Sequence, residues 1–326
     1  MAFKSKAFAI LEGIQQEMYR DKTLTLLYEY QRPVAASATG KVINLFEEFG
    51  PPRVADWGPL DEVWYTGGSA GMAMTGVPCI GHLPSMTTLF AVELTFNQIG
   101  KLRYMTGGQA SMPLVIWFDG AGRSAGSAGQ HTDVGQESLF AALPGVRVVI
   151  PSNSYDAKGL MIAAIRDPDP VLFFDYADVS FAPPVDVPDE PYEVKIGEAA
   201  VRQEGADITV VGFAPATIEI NKAMPLLKKE GISAEYIDPR TLKPLPLDAI
   251  IASVKKTGAL LCIDHGHDTL GDGTEIVAKV AQAVRGARFG RIAFPDAPGP
   301  GARSMMEWMK PDAPKIVEAA KKLLSA

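Results

Sequence analysis

Cysteine is nearly missing from this chain of 326 residues: there are two, Cys79 and Cys262, far apart in the sequence. A disulfide framework needs more, and a metal centre needs His or Asp beside them. Both therefore read as buried small hydrophobes in a reducing cytosol. Surplus positive charge is missing too. A formal net charge of -7 argues against nucleic acid or an anionic membrane surface as the main partner. No run of ~18 apolar residues occurs, so no membrane-spanning helix is expected. Met1 to Arg20 carries charges throughout and has no signal-peptide core, and a cytoplasmic protein is expected. Neither the dinucleotide fingerprint nor the P-loop pattern is matched. In a chain 47% apolar and 21% charged, what remains is a small-molecule enzyme or a subunit of one.

The length suits two α/β domains, since domains commonly hold ~100–200 residues. Ala7, Ile10, Leu11, Ile14 and Met18 fall at helical spacing and predict an amphipathic helix. Leu24 to Leu27 reads as a strand whose end delivers Glu29 to the edge where α/β proteins collect functional groups. Leu114 to Phe118, Val146 to Ile150 and Val171 to Phe174 are apolar runs bounded by Gly, Pro or Asp, as in buried parallel strands. Asp156 to Arg166 supplies the helix between the last two. Phe181 to Pro191, rich in proline and acid, is the linker candidate. Beyond it the βα rhythm restarts, with strands at Ile208–Val211, Ala234–Ile237 and Leu260–Ile263. Helices are expected at Ala216–Lys229, Glu275–Val284 and Lys315–Leu324. The fold class is α/β, two doubly wound domains over 1–185 and 186–326.

Three regions carry candidate chemistry. In Pro59 to Gly76 a carboxylate, Glu62, heads a run of small residues that reads as a closely packed helix. An acid at a helix N-terminus is also ordinary in any protein. Asp119 to His131 is a Gly-rich loop leaving the end of a strand, and His131 can move a proton near neutral pH or simply cap and pack. Asp264-His-Gly-His-Asp268 has two histidines one residue apart but no third ligand, and reads as a strand-end loop.

Taken singly these signals are weak; their order is not. Phe49-Gly-Pro-Pro-Arg-Val, Leu60-Asp-Glu, Gly71-Met-Ala-Met-Thr-Gly and Lys101-Leu-Arg-Tyr-Met-Thr-Gly-Gly-Gln come first. Ser124-Ala-Gly-Ser-Ala-Gly-Gln-His, Glu137-Ser-Leu-Phe-Ala-Ala-Leu-Pro-Gly-Val, Tyr155-Asp-Ala-Lys-Gly-Leu, Ile165-Arg-Asp-Pro-Asp-Pro and Asp238-Pro-Arg-Thr-Leu-Lys-Pro-Leu follow. With these stretches the chain resembles, over nearly its whole length, the β subunits of pyruvate, branched-chain 2-oxoacid and acetoin dehydrogenases. The resemblance implies a pyrimidine-binding domain followed by a transketolase C-terminal-type domain. It also implies an α-type partner in an α2β2 heterotetramer and a thiamine diphosphate shared between the two chains. The partner would grip the diphosphate and its Mg2+. Here Gly271-Asp272-Gly273 could begin such a grip, but no Asn occurs after Asn221 to complete it.

By the same resemblance Glu62 matches the glutamate that hydrogen-bonds the pyrimidine ring and switches the cofactor on. His131 matches the histidine that acts on substrate or on acyl transfer to a lipoyl-bearing acyltransferase. Glu29 matches an acid near the cofactor, and Leu60 a residue lining the pyrimidine. A structural potassium ion would map to the carbonyls of Val115, Ala164, Asp167 and Asp169. The departures cluster around the pocket. Thr87 stands where an aromatic residue usually stacks on the ring, Leu83 at a common Gln or Phe position, and Tyr28-Glu-Tyr30 replaces the usual Gly-Glu-Asp. They imply an atypical substrate or cleavage. A split transketolase or carboligase subunit, and a catalytically silent scaffold subunit, are the alternative readings.

Overall fold

The computed structural model describes residues 2–28, 33–55, 61–84, 89–121, 134–181 and 185–325. The chain divides into two compact units, one of residues 1–121 with 139–196, the other of 122–138 with 197–326. Residues 186–196, which the sequence reading places in the second domain, pack on the first unit. Tyr192 stacks on Tyr155 with ring centroids 4.6 Å apart, and Val194 N–H donates to the Gly159 carbonyl at 3.1 Å. Proline and charge build no core of their own, but these side chains fasten the stretch to a helix that has one.

In the first unit, helix α1 (Lys6–Arg20) starts where the Ser5 side chain accepts from Phe8 N–H. It buries Ile10, Leu11, Ile14 and Met18 as the spacing predicts, together with Phe8, while Ala7, expected in the same stripe, is exposed. Strand β1 (Thr25–Tyr28) follows, then β2 (Val54–Ala55), helix α2 (Glu62–Met74), and β3 (Cys79–Pro84). Next come β4 (Leu114–Ala121), β5 (Arg147–Val149), helix α3 (Ser154–Arg166) and β6 (Val171–Tyr176). The strands stand in the order β5-β6-β4-β3-β1-β2, and every adjacent pair is parallel. All functional strand ends therefore face one edge. Gly13 lets α1 cross α3 closely, since a Cβ there would sit 3.3 Å from both Ile162 Cγ1 and the Lys158 carbonyl.

The second unit holds β7 (Ala200–Gln203), β8 (Ile208–Gly212), α4 (Ala216–Lys229), β9 (Ala234–Asp238) and α5 (Leu247–Thr257). It continues with β10 (Ala259–His267), α6 (Asp272–Ala283), β11 (Arg288–Phe294), α7 (Arg303–Met309) and α8 (Ala313–Ser325). Its sheet order is β7-β9-β8-β10-β11, parallel except for β7. Asp264 to His267, expected as a loop, continue β10, because His267 pairs with Phe294 on β11 after an irregularity in register. Among the described residues no helix is long and apolar enough to cross a membrane. Both cysteines are buried and free, and burial pushes the Cys79 thiol up to about 12.

Candidate active site

Helix α2 is set by two local devices. Asp61 at its N-cap accepts from Val63 and Trp64 N–H, at 2.9 and 3.1 Å. The capping is thus done by the neighbour, and the Glu62 carboxylate makes no hydrogen bond or ion pair among the described residues. Further along, the small residues bring the helix down onto the sheet. A Cβ on Gly81 of β3 would lie 2.5 Å from Ser69 Oγ, so only glycine permits this approach. The Ser69 hydroxyl is satisfied within the helix, donating toward the Tyr65 and Thr66 carbonyls at 2.7 and 3.0 Å.

This contact fixes the height of Glu62. It lies seven residues before Ser69, about 10 Å along a helix. Pro84, where β3 ends, lies three residues beyond Gly81, about 10 Å along a strand. Because α2 runs antiparallel to the strands, Glu62 stands level with their carboxyl edge. The same edge releases the other candidates. Residues 29–32 leave the end of β1, 85–88 the end of β3 and 122–133 the end of β4. Glu29, Leu60, Thr87 and His131 themselves lie outside the described residues. Leu83 is fully buried at the end of β3, backing the edge from within the sheet.

One cluster at this edge escaped the sequence reading. Tyr28, His82 and Trp117 occupy matched positions on β1, β3 and β4. The Tyr28 and His82 rings stack at 3.7 Å, and Trp117 meets the imidazole edge-on at 4.8 Å. His82 Nε2 lies 3.3 Å from Asp119 Oδ2. Behind them Asp175 is buried between Lys6, its ion-pair partner, and the Trp117 indole N–H. Burial raises the Asp175 carboxyl to about 6, with Lys6 opposing the rise and Asp119 adding to it. The available signal was that all these residues fall at or near strand ends; their pairing across strands was not visible.

The residues expected to hold potassium come from β4 (Val115), the last turn of α3 (Ala164) and the turn after it (Asp167, Asp169). The Ala164 carbonyl accepts from Asp167 N–H at 3.3 Å. The Asp167 side chain pairs with Arg147 at 2.7 Å, and that of Asp169 with Arg103 at 2.6 Å. In the second unit, burial holds the His265 imidazole down to about 3, with Lys310 and His267 adding to the effect. Among the described residues no group of three or more His, Cys, Asp or Glu is disposed to hold a metal ion.

Residues 7–175 match the transketolase pyrimidine binding domain, and residues 197–316 the transketolase C-terminal domain. The acetoin:2,6-dichlorophenolindophenol oxidoreductase subunit beta of Cupriavidus necator is 35% identical, over 97% of this chain and 96% of that protein. The pyruvate dehydrogenase E1 component subunit beta of Bacillus subtilis is 33% identical over 99% of both. The chain belongs to this transketolase-like family of dehydrogenase β subunits. A solved structure, titled a split gene transketolase, inactive beta4 tetramer, superposes with a TM-score of 0.80 over 99% of each chain. At 20% identity it establishes the shared fold.

The two transketolase domains imply dependence on thiamine diphosphate. The site fits that group at its pyrimidine end: a carboxylate left out of helix capping stands at the sheet edge. Gly271-Asp272-Gly273 runs from the N-cap of α6 with Asp272 buried, and no Asn follows it in the sequence.

Proposed function

We propose that this chain is the β-type subunit of a heteromeric thiamine-diphosphate-dependent enzyme that cleaves a carbon–carbon bond beside a carbonyl, of the 2-oxoacid or acetoin dehydrogenase class. The placement of Glu62 carries the reading. It is the first residue of a helix whose N-cap is occupied by Asp61, so its carboxyl is left to hold a proton at the pyrimidine ring nitrogen. When bound, the cofactor supplies the electron sink that stabilises the cleaved carbon. Leu60, Leu83 and Thr87 border the ring. Thr87 replaces a stacking aromatic, at a cost of ~0.5–1.5 kcal/mol of ring interaction, which is small beside a whole cofactor site.

In this reading His131 is the acid–base group facing substrate or the acyl acceptor, and Glu29 relays protons near the cofactor. The α-type partner grips the diphosphate and Mg2+ in an α2β2 assembly, and a lipoyl-bearing acyltransferase takes the acyl group in the cytoplasm. Exposed Leu89, Phe90, Tyr104 and Met105 on the first unit supply apolar surface for a permanent interface. A potassium ion held on the Val115, Ala164, Asp167 and Asp169 carbonyls would sit at the carbonyl-rich end of α3, where a cation is favoured.

The test is co-expression with the neighbouring α-type chain, followed by thiamine-diphosphate-dependent turnover of pyruvate, branched-chain 2-oxoacids and acetoin. Glu62→Ala and Glu62→Gln are each expected to lower kcat by about 10²–10⁴-fold while the two chains still co-purify. Unchanged turnover in both variants would sink the catalytic assignment.

A further inference from the structure

Thr66 on α2 is completely buried, and its Oγ1 is sealed from solvent with no hydrogen-bond partner among the described residues. A hydroxyl taken out of water and left unpaired lowers the stability of the fold. The usual escape is within reach and is not taken. A helical serine or threonine can donate to the carbonyl four residues back. Ser69 does so to Tyr65 at 2.7 Å, Thr95 to Ala91 at 2.7 Å and Thr106 to Leu102 at 2.9 Å. Thr95 is as buried as Thr66, so burial alone does not turn a hydroxyl away from its own helix.

Thr66 stands one turn from Glu62. Residues four apart share a helix face, with Cβ atoms about 5–6 Å from each other. The Cα–Cβ bond of a helical residue tilts toward the N-terminus, so Thr66 leans toward the turn that Glu62 heads. The face is the one that α2 turns to the sheet. Thr66, Ser69, Ala70 and Ala73 are buried along it, and half-buried Glu62 is its first member, level with the carboxyl edge. A sealed donor and a carboxylate that can only accept thus stand one turn apart.

We propose that Thr66 is a positioning residue for Glu62, its hydroxyl donating to the Glu62 carboxyl in the assembled enzyme. The proposal rests on the reading that Glu62 serves the pyrimidine end of the site. A carboxyl has two oxygens. One is committed to the proton at the ring nitrogen, and the other accepts from Thr66. The last torsion of a glutamate side chain is broad, and this donation narrows it to the orientation that the proton requires. The chain alone therefore carries a hydroxyl that weakens its fold and serves its site, a trade of stability for function.

Removing the hydroxyl while keeping the shape separates this role from a structural one. In the full chain without cofactor, Thr66→Val takes away an unmet polar group, so its urea midpoint should equal or exceed that of the wild type. In the complex with the α-type chain its kcat should fall about tenfold to a hundredfold, the size of one hydrogen bond to a charged group, with KM for the substrate little changed. Thr66→Ser keeps the hydroxyl and should recover most of kcat. Placed on Glu62→Ala, Thr66→Val should remove nothing further from kcat. Wild-type kcat in Thr66→Val overturns the proposal, as does an additive loss on Glu62→Ala. A Val variant whose midpoint falls, or which fails to fold, also overturns it, because the hydroxyl then holds the fold. Unchanged turnover in the Glu62 variants brings down the catalytic reading and this inference with it. Lost turnover there beside a normal Thr66→Val brings down this inference alone.

Discussion

The rings of Tyr28 and His82 lie 3.7 Å apart and within 8° of parallel, at matched positions on neighbouring strands beneath the carboxyl edge. The buried Tyr28 ring needs a flat neighbour, and His82 provides one. The imidazole also faces Asp119, but that carboxylate is 43% exposed, and exposed pairs contribute ~0–1 kcal/mol. The stack should therefore outweigh the charge. In urea unfolding, His82→Ala is expected to cost about 2–4 kcal/mol and His82→Phe less than about 1.5 kcal/mol. Asp119→Asn should be nearly silent. A Phe variant as unstable as the Ala variant would show that the imidazole's polar contacts dominate.

Gly81 and Ser69 set the height of Glu62. Adding a methyl group at Gly81 places it 2.5 Å from Ser69 Oγ, so either the helix or the strand must shift. Gly81→Ala is expected to cost about 1–3 kcal/mol, as overpacking does. It should also lower turnover more than cofactor affinity, because the displaced group is the carboxyl of Glu62. Ser69→Gly in the same chain should restore much of both. Additive effects of the two substitutions, measured as a double-mutant cycle, would dissociate this contact from the placement of Glu62.

Much of this scaffold was legible because periodicity and packing agreed. Helix α4 spans Ala216–Lys229 as its spacing predicts, and α1 buries four of the five predicted stripe residues, Ala7 being exposed. Strand β10 was read only over Leu260–Ile263; its last residues are polar or glycine, and pairing with β11 rather than propensity keeps them extended. β11 itself, Arg288–Phe294, was not read as a strand, since its glycine and two arginines break the apolar pattern. In the candidate site, Glu62 was legible through the family pattern, while its capping neighbour and helix height needed coordinates. Tyr28 and His82 are brought together by topology across a long stretch of chain, and no local spacing encodes that.

Glu12 is buried on α1 among three lysines, with Lys41 Nζ 3.5 Å from its Oε1. Lys4 Nζ and Lys158 Nζ reach its Oε2 at 2.5 and 2.9 Å, and both lysines are themselves buried. Lys158 also donates to the Pro188 and Asp189 carbonyls at 2.7 and 3.0 Å, so the network fastens the stretch that leads to the second unit. Removing the acid takes a carboxylate from two buried ammonium groups, of which Lys4 keeps the exposed Asp189 at 2.7 Å, and Glu12→Ala is expected to cost about 3–5 kcal/mol. Glu12→Gln keeps an acceptor and should cost less. Limited proteolysis should show cleavage near residues 186–196 rising in the Ala variant. No change in cleavage there would mean that the segment's other contacts, among them those of Tyr192, Val194 and Glu193 with Arg166, hold it without Glu12.

Asp175 makes stability fall as pH rises through the mildly acidic range. Its folded pKa, about 6, lies above the ordinary value for an aspartate, so the folded state binds the proton more tightly than the unfolded chain. The stability from this group is full below about pH 4 and lost as pH rises to about 6, up to about 3 kcal/mol. Asp175→Asn should be less stable overall, since Lys6 loses its partner, yet flatter between those values. Urea midpoints taken at half-unit intervals will show it; an unchanged slope would assign the dependence to other groups.

His265 works in the opposite direction. Its Nε2 is sealed from solvent although the ring is only partly covered, and its edge meets Phe294 at 5.3 Å. With the imidazole held down to about 3 by burial, the folded protein keeps it neutral while the unfolded chain takes up a proton near 6.5. The stability it contributes is full above about pH 6.5 and drains as pH falls toward 3, by up to about 5 kcal/mol over that span. His265→Gln cannot take up that proton. Followed by near-ultraviolet circular dichroism in an acid titration, the variant is expected to lose its tertiary signal at lower pH than the wild type, even if it starts less stable at pH 7. An acid midpoint that does not move would show that His265 is protonated in the folded protein, and that burial does not govern its charge.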